Sequence, residues 1–150
     1  MIEEFSLNPF YINVLDKRTT MMEKIVSLIR FSLSKNPEQE LMAKIRHFYD
    51  LHFLLQDNEC FEYLHNDKFK DNFSEFLNHD RELFENPAGW RDKPISKSPV
   101  INDFESVWKG LKKRYETELP PLAYSTFIPD VNKIEESMKE IIKVLRVFAE

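Results

Sequence analysis

Two segments of the chain carry residues whose types and spacing could do chemistry. Lys24 lies at the border of an apolar helical face, with Arg30 a turn or two further on. An ammonium held there suits a nucleotide phosphate as a point charge, and a guanidinium suits it as a planar fork. The same position also suits a surface lysine whose stem covers core while its head stays in water. The second segment, Arg46-His47-Phe48-Tyr49-Asp50, is denser. Arg46 and Asp50 are spaced to pair along one helix face, an ordinary surface pair worth about 0.3–0.5 kcal/mol. Yet Asp50 has Phe48, Leu51, Phe53 and Leu54 around it. A carboxylate in apolar company points to a site more than to a solvated face.

Other chemistries find less support. Arg46 and His52, with five residues between them, fit the loose Arg-then-His pattern of HEPN ribonuclease domains. That resemblance implies the two acting on the scissile phosphate and the 2′-hydroxyl. His52 fits a hydrogen-bonded core histidine equally well. His47 and His52 face different ways on a helix and have no third ligand at a useful spacing, so no metal site is expected. Cys60 is the only cysteine, which excludes an internal disulfide and a thiolate zinc site. Gly89 and Gly110 are the only glycines. That excludes a P-loop, a dinucleotide-binding turn and a nucleophile elbow.

The elements that must position these residues are helices. A β-sandwich or barrel would need more turn glycines, whereas 150 residues with 42% hydrophobic side chains suffice for one helical core. The net charge of −5 gives no long-range attraction to nucleic acid, so any RNA contact must be a local basic patch. The pattern predicts a mainly α chain, 1–150, of about five to six helices in an irregular bundle. The first runs from about Arg18 to Ser34, capped by Asp16 or Thr19, with Met21, Met22, Ile25, Val26, Leu28, Ile29 and Leu33 inward. Pro37 opens a second, to about Gln56, with Leu41, Ile45, Phe48, His52 and Leu55 as its stripe. The short Lys35-Asn36-Pro37 break sets the two antiparallel, so Lys24 and Asp50 should converge on one cleft. A short helix around Cys60–His65 follows, then one from Lys68 to Phe84. The proline-bearing connection Asn86–Pro99 leads to a helix marked by Ile101, Phe104, Trp108, Leu111 and Tyr115, which Pro120-Pro121 should stop. A last helix follows Pro129. Phe10–Leu15 is the one strand candidate, and a lone strand wants a sheet found elsewhere. The acidic start lacks the order of a signal peptide, and no apolar run nears the roughly 20 residues that span a bilayer, so the expected location is cytoplasmic.

In order and spacing, these pieces resemble the C-terminal half of the AbiEii/AbiGii-type nucleotidyltransferase toxins of abortive infection. The matching segments are Phe10-Tyr11-Ile12-Asn13-Val14-Leu15, Arg18-Thr19-Thr20-Met21-Met22-Glu23-Lys24 and Arg46-His47-Phe48-Tyr49-Asp50-Leu51. The resemblance implies Lys24 and Asp50 as catalytic residues, and Lys24, Arg30 and Arg46 as contacts to the nucleotide's phosphates. It also implies transfer of a nucleotide from an NTP, with Mg²⁺, to an acceptor, with RNA a candidate and a cognate antitoxin as partner. The family's first two motifs, a Gly-Ser or Gly-Gly turn with Asp-x-Asp and a later carboxylate, have no counterpart in these 150 residues. They would hold two metal ions. The expectation is therefore a substrate-side portion, inactive alone for want of the N-terminal catalytic core, whose sheet Phe10–Leu15 would join. The alternative is a non-catalytic module that binds the antitoxin or another protein.

Overall fold

Asp16 opens the first helix, its carboxylate accepting from the Arg18 N–H at 2.9 Å. That satisfies one of the donors a helix start leaves unpaired. The computed structural model describes residues 16–122 and 130–148, and all regular structure among them is helical. The strand candidate Phe10–Leu15 lies outside the described residues. Helix α1, Lys17–Ser32, buries Met21, Met22, Ile25, Val26, Leu28 and Ile29. So many inward residues make it the central strut of the bundle.

The helix expected from Pro37 to Gln56 is two: α2, Pro37–Met42, and α3, Ile45–Gln56. No glycine or proline marks the break. It turns on bonds of the tighter 3₁₀ kind, from the Lys44 N–H to Leu41 O at 3.0 Å and the His47 N–H to Lys44 O at 2.8 Å. Asp57 ends α3 and caps α4, Asn58–Leu64, by accepting from the Cys60 N–H at 3.1 Å. Asn66 caps α5, Asp67–Leu83, in the same way.

The connection after α5 is ordered by Trp90, which is wholly buried and donates from Nε1 to Phe84 O at 2.8 Å. Gly89 takes a φ of 83°, a backbone setting that side chains resist, to turn the chain into the short 3₁₀ helix Trp90–Asp92. A second 3₁₀ turn, Ile95–Lys97, leads to α6, Pro99–Asn102. Helix α7, Phe104–Leu122, corrects the expected stop: Pro120-Pro121 lie within its last turn and the helix ends just after them. Helix α8, Val131–Phe148, closes the bundle against α3, and Arg146 donates twice to Ile101 O, at 2.9 and 2.7 Å. Eight α-helices among the described residues thus replace the five or six expected, because short capped segments count separately. Their buried side chains join in one core, with Trp108 seated between Phe48 and Phe104. No helix among the described residues is long and apolar enough to cross a membrane.

Candidate phosphate-binding site on the α1–α3 seam

Lys17 of α1 pairs with Asp57, just past the end of α3, at 2.8 Å, and Lys24 pairs with Asp50 at 3.0 Å. One step of seven residues forward in α1 is answered by seven backward in α3, so the two helices run antiparallel. Another seven residues along α1, Phe31 has the Lys44 ammonium over its ring, 4.7 Å from the centroid. Seven residues are close to two helical turns, so all three rungs lie along one seam.

The middle rung is the candidate site. Lys24 and Asp50 keep 22% and 31% of their side-chain surface, enough for a ligand to reach them. The ammonium has three donors and Asp50 takes one, leaving the others for a phosphate oxygen. His47 stands on the same stretch of α3, mostly buried. Burial, then the positive charges of Lys24 and Lys44, pull its pKa down to about 4, against a smaller opposing pull from Asp50. Its imidazole is therefore neutral at pH 7 and adds no competing charge. Arg46, half-buried, sits one turn before Asp50 on the same helix.

Arg30 is set apart from this rung. Six residues from Lys24, it points about 120° round the helix. Its Nε donates to Asn86 O at 2.6 Å, and its guanidinium lies 4.6 Å from the Phe31 ring centroid and 4.3 Å from that of Phe84. Burial lowers its pKa from the ordinary value, with Asp80 opposing. Such an arginine pegs the post-α5 connection to α1. His52 faces the other way again. It is buried, with Nδ1 2.7 Å from the Ser137 hydroxyl of α8, where it ties two helices together. Cys60 is buried too, and burial pushes its thiol up to about 11, which leaves it no nucleophile at neutral pH.

Sequence reasoning weighed His47 only as a metal ligand and passed over the outer rungs. The signal was present: Lys17, Lys24 and Phe31 recur every seven residues. Mg²⁺ does not fit the described residues, since among them no three His, Cys, Asp or Glu side chains gather to hold a metal ion. A family model described as nucleotidyl transferase AbiEii toxin, type IV toxin–antitoxin system, matches residues 1–140. Neither a curated protein nor a solved structure matches the chain.

Proposed function

The chain belongs to the AbiEii nucleotidyl transferase toxin family, and from that premise we propose that it forms the substrate-side half of such a transferase. In this reading Lys24 meets the phosphates of an NTP, and Asp50 holds the ammonium in place. The observation that carries it is the Lys24–Asp50 pair at 3.0 Å, open on one side and backed by a neutral imidazole. In the transfer, the acceptor oxygen bonds to the α-phosphorus while the bond to the leaving pyrophosphate breaks. A fixed cation near those oxygens stabilises charge as it develops. Arg46 extends the positive edge on α3. Arg30, bonded to Asn86 O and stacked on rings, contributes by holding the scaffold.

The acceptor in this reading is an RNA, and the regulating partner is an antitoxin, in keeping with the toxin–antitoxin description of the family. The metal-binding carboxylates would come from a core bearing the glycine turn and Asp-x-Asp, which these 150 residues lack. The same lack supports a second reading, a non-catalytic module that binds the antitoxin.

One experiment separates them. The purified chain is incubated with labelled NTPs, Mg²⁺ and total RNA, with and without a polypeptide carrying the family's acidic core. No incorporation by the chain alone, incorporation on adding the core, and its loss in Lys24→Ala are expected. Incorporation by the chain alone that survives repurification, yet vanishes in Asp50→Ala, refutes the half-enzyme reading. No incorporation in any mixture, with the antitoxin still bound, favours the module.

A further inference from the structure

Helix α5 and the loop that follows it enclose a cavity of about 270 Å³, away from the α1–α3 seam. Phe73, Leu77 and Ile95, all buried, supply the apolar part of its inner wall, and much of the remaining lining is polar. Ser74 and Asn78 are exposed and bring a hydroxyl and an amide to its mouth. Arg81 is the only charged residue lining it among the described residues. Residues 73, 77 and 81 are four apart, so one helix face carries two apolar groups and then the cation.

The state of that cation is unusual. Its Nη2 donates to Lys93 O at 2.9 Å, while its Nε is shut off from water with no hydrogen-bond partner. No carboxylate among the described residues forms an ion pair with it. Burial lowers its pKa from the ordinary value, and no neighbouring charge opposes the shift. The adjacent cations do not relieve this, since Arg91 donates to Arg81 O and Lys93 donates to Leu33 O. Arg81 is half-buried and lines the cavity, so a ligand there meets the guanidinium N–H groups that keep their surface and not the enclosed Nε. A partly desolvated charge without a counterion favours an opposite one. Arg81 at the end of α5 gains from the helix dipole, which places no acceptor on its outer N–H groups.

We propose that this cavity binds a monocarboxylate with a short apolar body. The carboxylate lies on the Arg81 guanidinium, and the carbon chain lies against Phe73, Leu77 and Ile95. A planar fork matches a carboxylate in shape. One cation balances one negative charge, whereas a phosphate dianion would bring in a second with no further cation on the wall. The volume sits just below the usual range for small-molecule pockets, which suits a ligand of a few carbons. That chemistry has two sources: a free small acid, or the C-terminal residue of a peptide that ends in an apolar side chain.

The test uses the full chain and 4-methylpentanoate, followed by amide NMR shifts and melting temperature. Saturable binding at millimolar concentration is expected, with shifts centred on Phe73, Leu77 and Ile95. The neutral isostere 4-methylpentanamide should not bind. Arg81→Lys keeps the charge and loses the fork, and should weaken binding at least about tenfold. Because Arg81 also holds the loop, Ser74→Trp at the exposed mouth serves as a second variant, blocking entry while the chain melts as before. A peptide ending in free leucine that binds more tightly than the small acid supports a chain terminus as the source. The reverse order supports a free acid. Absence of saturation, equal binding of acid and amide, or binding untouched by both variants overturns the proposal.

Discussion

Lys24 and Arg30 are six residues apart on one helix, and the fold treats them in opposite ways. Lys24 faces a single carboxylate across the seam and stays open to water on its other side. Arg30, half-buried, is tied to a carbonyl and lies against the Phe31, Phe84 and Trp90 rings, so its head group is fixed to the scaffold. What separates them is where the head group is held: Lys24 stands at an open rung of the seam, whereas the Arg30 guanidinium is laid on rings of the scaffold and tied to a loop carbonyl. Neighbouring positions on one element can therefore carry different duties, decided by what the rest of the chain brings opposite them.

The largest expected effect breaks that comparison at Lys24. On the half-enzyme reading, Lys24→Ala tested with the acidic core added should lower nucleotide transfer about a hundredfold to a thousandfold, as loss of a charge-stabilising donor does. The melting temperature of the chain should barely move. Retained activity, or a drop of many degrees, would assign Lys24 to the scaffold. Arg30→Ala should show the reverse pattern. Losing three ring contacts and the bond to Asn86 O should cost about 2 kcal/mol in urea unfolding, with transfer per folded molecule nearly unchanged. A cost below about 0.5 kcal/mol would show that the peg holds nothing.

How much of this contrast was legible beforehand follows from which forces are local. The helical class, the Asp16 cap and the inward face of α1 were readable, because capping and periodicity are written within a few residues. The antiparallel pairing that joins Lys24 to Asp50 was readable too, from the short break at Lys35-Asn36-Pro37. So was the family, from the order of three segments. The division of the Pro37–Gln56 stretch was not, since no breaker residue stands at Ala43-Lys44. Nor was the capture of Arg30, which depends on Phe84 and Asn86 arriving from more than fifty positions away. The Arg81 cavity was hidden for the same reason, because Ile95 and the Lys93 carbonyl complete it from a separate loop.

The next effect in size reads the site through pH. The His47 pKa is lowered from the ordinary value near 6.5 to about 4 in the folded chain. The folded state thus favours the neutral imidazole. Its contribution to stability is complete above about pH 6.5 and is lost as the pH falls toward about 4, where the folded form also takes up the proton. Partial exposure to screening water reduces the contribution to about 1–2 kcal/mol. His47→Gln should flatten the fall in urea stability between about pH 6.5 and pH 4. An unchanged slope would show that burial and the charges of Lys24 and Lys44 do not hold this ring neutral.

The smallest expected effect sharpens the comparison most. If the Lys24–Asp50 pair is kept for a ligand, it should do little for the fold. Lys24→Ala, Asp50→Ala and the double variant form a cycle whose coupling energy isolates the pair from each side chain's own packing. Both side chains keep part of their surface in water, and for such a pair screening and the loss of side-chain freedom offset most of the attraction. The coupling should therefore fall between about 0.2 and 1 kcal/mol in urea unfolding at low salt, and shrink toward zero in molar salt. The same cycle measured on nucleotide binding should couple more strongly, because Asp50 there positions a cation that a phosphate also holds. A stability coupling of 3 kcal/mol or more, of the order seen for fully buried pairs, would mean that the pair holds α1 to α3. Lys24 would then join Arg30 as part of the scaffold.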